Sequence, residues 1–113
     1  MIQIWGDKKC RDTQKAVRFF KERRIPVQYI ELREKGPSKR EWESLIRGIG
    51  HCPIDRDGRV FREAVPQGTS FDALTLLQEH PTVAVTPLVR DGNRATCGYR
   101  PEVWKIWQKE GNA

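Results

Sequence analysis

The 113-residue sequence has few cysteines and no long apolar run. Its cysteines, Cys10, Cys52 and Cys97, are odd in number and far apart. This excludes a small disulfide scaffold and favours free thiols in a reducing, cytoplasmic compartment. No stretch approaches the roughly 20 apolar residues of a membrane span, so we expect no membrane contact. The first residues also lack the basic and apolar regions of a signal peptide.

Length predicts a single domain over residues 1–113. Four Trp and four Phe supply core material, although charged residues make up 32% of the chain. The excess of 21 Lys and Arg over 15 Asp and Glu gives a net charge of +6, which favours anionic partners. No groove-reading helix or aromatic ribonucleoprotein motif is present, so we expect no direct nucleic-acid binding. Cysteines and histidines lack metal-site spacing, so we expect no metal.

The first half of the sequence predicts a strand–helix–strand unit followed by a second helix. Residues 2–5 form a short apolar run typical of a buried strand, and a helical pattern begins at Cys10. Residues 27–32 form the second strand. Ser38 and Glu41 form a capping box that opens the next helix. Its apolar face is made by Trp42, Leu45, Ile46 and Ile49.

The second half predicts an irregular loop over residues 51–68, a helix that starts within 69–72, and a hairpin. The hairpin strands are residues 83–90, interrupted by Pro87, and 95–99. A last helix opens at Pro101, with Val103, Ile106 and Trp107 facing inward. The order β-α-β-α-insertion-α-β-β-α is that of an α/β protein with a thioredoxin-like fold.

Cys10 is the candidate nucleophile. A thiol at a helix N-terminus meets unpaired N–H groups and the positive end of the helix dipole, which favour the thiolate. Lys8, Lys9 and Arg11 add positive charge, and the Thr13 hydroxyl is placed to donate a hydrogen bond to the sulfur. The alternative is a buried cysteine that acts as a small apolar side chain.

The motif is Cys-x-x-Thr, so no second thiol lies one turn after Cys10. Turnover therefore needs an outside thiol such as glutathione or glutaredoxin, or else Cys52 or Cys97. Cys97 lies mid-strand, which favours a core role. Cys52 lies beside His51 in the irregular loop, where it is either a resolving thiol or an ordinary loop residue.

Thr86-Pro87 is the second informative feature, because a proline inside a strand needs an edge or unusual geometry. In thioredoxin-like folds a cis proline lies opposite the nucleophile, and the residue before it offers its backbone to a bound thiol peptide. Arg56, Arg59 and Arg100 are candidates for binding an anion near Cys10, although each is also typical of solvated surface.

The sequence resembles the arsenate reductase family in the broad sense, which includes Spx-type regulators. The stretches that carry the resemblance are residues 4–10 with 13–16, 36–38, 76–81, 86–89, and 98–102 after the turn at 91–92. The resemblance implies a thioredoxin-like fold with Cys10 as nucleophile. It also matches Arg100, and either Arg56 or Arg59, to two of the three arginines that hold the oxyanion in this family. The third belongs immediately before the proline, where this sequence has Thr86.

These features predict a glutathione- or glutaredoxin-linked thiol oxidoreductase that acts on a small oxyanion or a thiol, with arsenate as one candidate substrate. Cys10 and Thr13 would be catalytic. The substrate-binding residues would be Lys9, Arg56, Thr86, Pro87 and Arg100. The alternative is a non-catalytic, Spx-like regulator that binds RNA polymerase or another protein.

Overall fold

The computed structural model describes residues 1–111, and a four-stranded mixed sheet forms its centre. The strands are β1 (Ile2–Gly6), β2 (Val27–Glu31), β3 (Leu88–Asp91) and β4 (Arg94–Cys97), in the order β2-β1-β3-β4. β1 pairs parallel with β2 and antiparallel with β3, which in turn pairs antiparallel with β4. The predicted strand–helix–strand unit and the hairpin therefore join through β1 and β3.

Within the described residues, five α-helices accompany this sheet: α1 (Arg11–Glu22), α2 (Lys39–Ile49), α3 (Arg59–Ala64), α4 (Ala73–Glu79) and α5 (Pro101–Gly111). Successive side chains of a strand point to opposite faces, so both faces of the sheet can be buried. Ile4 lies in the cluster with Trp104 of α5, whereas Trp5 lies in the cluster with Trp42 of α2. None of the described helices is long and apolar enough to cross a lipid bilayer.

The capping box predicted at the start of α2 is confirmed. The Ser38 hydroxyl accepts a hydrogen bond from the Glu41 N–H at 3.2 Å, and the Glu41 carboxylate accepts one from the Ser38 N–H at 2.8 Å. Gly50 ends the helix in the left-handed conformation, with φ of 96°. A left-handed residue at this position favours glycine, which has no Cβ to clash with the backbone.

The irregular loop predicted over residues 51–68 is interrupted by α3. At six residues α3 is too short for hydrophobic periodicity to reveal it. The strand predicted over 83–90 is shorter in the structure, because Pro81–Val83 forms a 3₁₀ turn and β3 begins at Leu88. Pro87 has no N–H to donate to the sheet, so pairing starts after it.

Two further predictions near the C-terminus were wrong in detail. The strand predicted over 95–99 spans Arg94–Cys97, because Gly98 turns the chain with φ of 80°. Ile106 was predicted to face the core but is 53% exposed. The inward positions of α5 are taken by Trp104 and Trp107, whose larger side chains fill the space against the sheet.

Candidate active site

The candidate site is built on the short loop that connects β1 to α1. The Cys10 N–H donates to the Asp7 carbonyl at 2.9 Å, and the Lys9 N–H donates to the Asp7 carboxylate at 2.9 Å. At the start of this loop, a Cβ on Gly6 would lie 2.9 Å from Oγ1 of Thr13, so a side chain cannot fit there without a shift. These contacts place Cys10 as the N-cap of α1.

The sulfur of Cys10 faces the segment that precedes β3. The Thr86 hydroxyl donates a hydrogen bond to Cys10 Sγ at 3.1 Å, and the Thr86 carbonyl oxygen lies 3.9 Å from the same sulfur. The Thr86–Pro87 peptide bond is cis, as the sequence predicted. Thr86 therefore contacts the sulfur through its side chain as well as its backbone.

The pKa of the Cys10 thiol lies below its ordinary value. Partial burial acts to raise this pKa, but hydrogen bonds from the side chains of Thr13 and Thr86 and from the backbone of Thr13 and Asp12 outweigh it. The backbone donors are the unpaired N–H groups of the first helical turn. The groups that lower the Cys10 pKa are thus hydrogen-bond donors. The sequence analysis had predicted an additional effect from the charges of Lys8, Lys9 and Arg11.

Thr13 connects the loop to the sulfur. Its side chain is buried, and its hydroxyl accepts a hydrogen bond from the Asp7 N–H at 3.3 Å. The same hydroxyl contributes to the lowered pKa of Cys10. A hydroxyl can accept and donate at once, so Thr13 satisfies the loop amide while it stabilises the thiolate.

A buried carboxylate, which was not predicted from the sequence, lies beside this loop. Glu31, the last residue of β2, is only 8% exposed. Its Oε1 accepts hydrogen bonds from the Lys8 N–H at 3.1 Å and from the Tyr29 hydroxyl at 2.9 Å. Its Oε2 lies 3.6 Å from Nε of Arg33, and the Arg33 guanidinium also lies 3.5 Å from the Asp7 carboxylate.

Tyr29 keeps its proton in this arrangement. Burial, the hydrogen bond to Glu31, and the negative charges of Glu31, Asp7 and Cys10 raise the pKa of the Tyr29 hydroxyl far above its ordinary value. Tyr29 therefore stays a neutral donor. The parallel register of β1 and β2 pairs Glu31 with Gly6, at the start of the loop before Cys10. A prediction of this cluster from sequence would therefore need that register.

The predicted arginines have other contacts. The Arg56 guanidinium lies over the rings of Phe61 and Phe71, at 5.7 and 5.1 Å from their centres. Arg59 lies 3.6 Å from the Glu63 carboxylate, and Arg100 lies 3.9 Å from that of Glu102. Lys9 is exposed. Within residues 1–111, no hydrogen bond or ion pair links these basic side chains to Cys10.

The other two cysteines are also free thiols. Cys97 Sγ lies 4.0 Å from Nε2 of His51, so the histidine faces Cys97 and not its neighbour Cys52. Burial raises the pKa of Cys97, and the charge of Arg100 offsets this only in part. Across the described residues, no three His, Cys, Asp or Glu side chains are arranged to hold a metal ion.

Solved structures with a similar fold include an arsenate reductase and several proteins described as related to arsenate reductases. An arsenate reductase from Vibrio cholerae is 21% identical, with a TM-score of 0.75 over 90% of this chain and 92% of its own. The fold is thioredoxin-like. A protein named YffB is 20% identical, with a TM-score of 0.81 over 94% of this chain and 97% of its own.

An arsenate reductase (ArsC) related protein from Brucella melitensis is 18% identical, with a TM-score of 0.65 over 96% of this chain and 94% of its own. No protein-family model matches the sequence, and no curated protein matches it. At these identities the similarity establishes the shared fold, and the residues of the site have to carry the functional argument.

Proposed function

We propose that this protein is a thiol oxidoreductase similar to arsenate reductases, with Cys10 as the nucleophile and glutathione as co-substrate. The observation that carries the proposal is the hydrogen bond from Thr86 to Cys10 Sγ at 3.1 Å, in a site where hydrogen bonds lower the thiol pKa. The thiolate is the form that attacks sulfur. The similarity of the fold to an arsenate reductase supports the same chemistry.

The proposed reaction is an exchange between thiols and a glutathione mixed disulfide. The Cys10 thiolate attacks the glutathionyl sulfur, which forms a Cys10–glutathione disulfide and releases the substrate as a thiolate that takes up a proton. A second glutathione thiolate then attacks the bound glutathionyl sulfur. This step forms glutathione disulfide and restores the Cys10 thiolate. In sum, one glutathione thiol reduces the mixed disulfide.

Glutathione is the proposed resolving thiol because position 13, one turn after the nucleophile, is a threonine. Thr86 lies against the sulfur, and the backbone of Thr86 and Pro87 would bind the glutathione backbone. Lys9 and Arg100 are exposed cations that would attract the glutathione carboxylates. The cytoplasm, where glutathione is abundant and reduced, suits this reaction.

Arsenate is a second candidate substrate, favoured by the similarity to the Vibrio cholerae enzyme. An oxyanion needs several charge-assisted donors around the nucleophile. Here Thr86 stands before the proline, and Arg56 lies over aromatic rings. These two features favour a disulfide over an oxyanion as the electrophile.

The test is turnover of the mixed disulfide of glutathione and 2-mercaptoethanol, coupled to glutathione reductase and NADPH, with arsenate as the second electrophile. We expect turnover by the wild type, none by Cys10→Ser, and near-normal rates for the matched control Cys97→Ser. Equal rates for wild type and Cys10→Ser would overturn the proposal. Capture of RNA polymerase by both, without turnover, would instead favour the Spx-like regulator.

A further inference from the structure

We propose that Glu31 is a positioning residue for the nucleophile: its carboxylate holds the loop of residues 7–9 in the conformation that brings Cys10 Sγ to its hydrogen-bond donors. This inference rests on the proposed role of Cys10. The Glu31 carboxylate does not itself touch the sulfur in the structure; it acts through the loop backbone.

The burial of the Glu31 carboxylate is unfavourable by itself, and specific hydrogen bonds offset it. A carboxylate that is almost wholly buried loses most of its hydration, which is unfavourable unless charge-assisted hydrogen bonds replace it. Oε1 of Glu31 receives two such bonds, from the backbone N–H of Lys8 and from the hydroxyl of Tyr29. Oε2 accepts no hydrogen bond from the described residues, and its charge partner is the Arg33 guanidinium at 3.6 Å. An apolar residue at the end of β2 would avoid the cost of burial but could not accept the Lys8 N–H.

Each residue of the loop 7–9 makes a hydrogen bond, and Glu31 accepts the one that comes from the loop to β2. From the α1 side, the Gln14 side chain donates to the Lys8 carbonyl at 2.6 Å, and the Thr13 hydroxyl accepts from the Asp7 N–H at 3.3 Å. The Lys8 N–H turns the other way, toward Glu31. The hydrogen bond from Lys8 to Glu31 holds the Lys8 peptide on the side opposite to Gln14. The two bonds together restrain the loop relative to the start of α1.

The charge of Glu31 alone would act in the opposite direction. A negative charge near a thiolate disfavours the thiolate. Lys8, Lys9 and Arg33 supply the nearby positive charges. Removing the charge while keeping the hydrogen bonds should therefore leave Cys10 at least as acidic. Keeping the charge on a side chain too short to accept the Lys8 N–H should raise the pKa of Cys10.

Two substitutions separate these effects. Glu31→Gln keeps an oxygen where Oε1 accepts from Lys8 and Tyr29, but carries no charge. Glu31→Asp keeps the charge but is one methylene too short to reach the Lys8 N–H. Gln28→Ala is the matched control, because Gln28 lies on the same strand and is exposed.

The measurement is the rate of Cys10 alkylation by iodoacetamide as a function of pH, followed by mass spectrometry of the peptide that contains Cys10. We expect Glu31→Asp to raise the midpoint and to slow alkylation at neutral pH by roughly three- to tenfold, which corresponds to about half to one unit of thiol pKa. Gln28→Ala should retain the wild-type midpoint, and Glu31→Gln should give the wild-type midpoint or a lower one.

An unchanged midpoint in Glu31→Asp would overturn the inference, as would a fall in both Glu31 variants, since that fall would show an effect of charge alone. If Glu31→Asp does not fold, Tyr29→Phe takes its place. It removes one donor to Glu31 and should give a smaller rise, and an unchanged midpoint would overturn the inference. A wild-type midpoint at or above about 8.5 would instead contradict the proposed function itself.

Discussion

The hydroxyl of Thr86 donates a hydrogen bond to the sulfur of Cys10 at 3.1 Å, although 76 positions separate the two residues in the chain. Cys10 follows the end of β1, and Thr86 precedes β3. Because β1 and β3 are antiparallel neighbours, with Trp5 opposite Leu88, the end of one strand meets the start of the other. The central strand pair therefore assembles the candidate site.

Thr86→Val tests the contribution of this hydrogen bond. Valine has nearly the shape of threonine but cannot donate, so we expect the Cys10 pKa to rise toward the ordinary thiol value. Alkylation at neutral pH should slow by roughly three- to tenfold. The control is Thr82→Val, at an exposed threonine four positions earlier. If Thr86→Val retains the wild-type pH profile, the hydroxyl does not stabilise the thiolate.

Cys10 and Cys97 should differ in reactivity. Hydrogen bonds lower the pKa of Cys10, whereas burial raises that of Cys97. At neutral pH the larger thiolate fraction therefore belongs to Cys10. Limited treatment with iodoacetamide at pH 7, followed by peptide mapping, should label Cys10 well before Cys97. Faster labelling of Cys97 would contradict the predicted order of the two thiol pKa values.

The lowered pKa of Cys10 also predicts a pH-dependent contribution to stability. A group whose pKa is lower in the folded state stabilises the fold fully above its unfolded pKa, and this contribution is lost as the pH falls through its folded pKa. The free energy of unfolding of the wild type, minus that of Cys10→Ser, should therefore decrease as the pH falls from about 8.5. Urea unfolding of both proteins at several pH values measures this difference in the free energy of unfolding.

Cys97 is present in both of these proteins, so its opposite shift cancels in the difference. A difference that stays constant over this pH range would show that the folded environment of Cys10 does not favour the thiolate.

Gly6→Ala tests the close approach of β1 to α1. The added Cβ would crowd the Thr13 side chain, whose Oγ1 would lie 2.9 Å away, so we expect a loss of roughly 1–3 kcal/mol of stability. The nearest atom of Thr13 is its methyl carbon. The double variant Gly6→Ala/Thr13→Ser removes that methyl and should recover part of the loss. Additive losses in urea unfolding would show that the two sites are independent.

Local sequence patterns predicted the parts of the site that depend on neighbouring residues. The break after the first apolar run predicted Cys10 at the start of α1. The α/β order of elements was sufficient for the thioredoxin-like fold, and the place of Pro87 in that order predicted the cis bond after Thr86. Each element of that order is encoded by residues close together in the chain.

The rest depends on contacts between distant segments. Glu31 reaches Lys8 across 23 positions, and only the register of β1 and β2 brings them together. Anion binding by Arg56 stays a prediction. Its guanidinium lies over the rings of Phe61 in α3 and of Phe71 just before α4, a contact between segments that no local pattern indicated. On α5, Trp104 and Trp107 occupy the positions that face the core, and Ile106 is exposed to solvent.

The most direct test of the central claim is mass spectrometry of the intact protein and its peptides after treatment with glutathione disulfide. Three free thiols are available, so the position of the adduct is informative. The account predicts one glutathione on Cys10, removed by added glutathione, and no adduct on this residue in Cys10→Ser. An adduct confined to Cys52 or Cys97, or none at all, would contradict it.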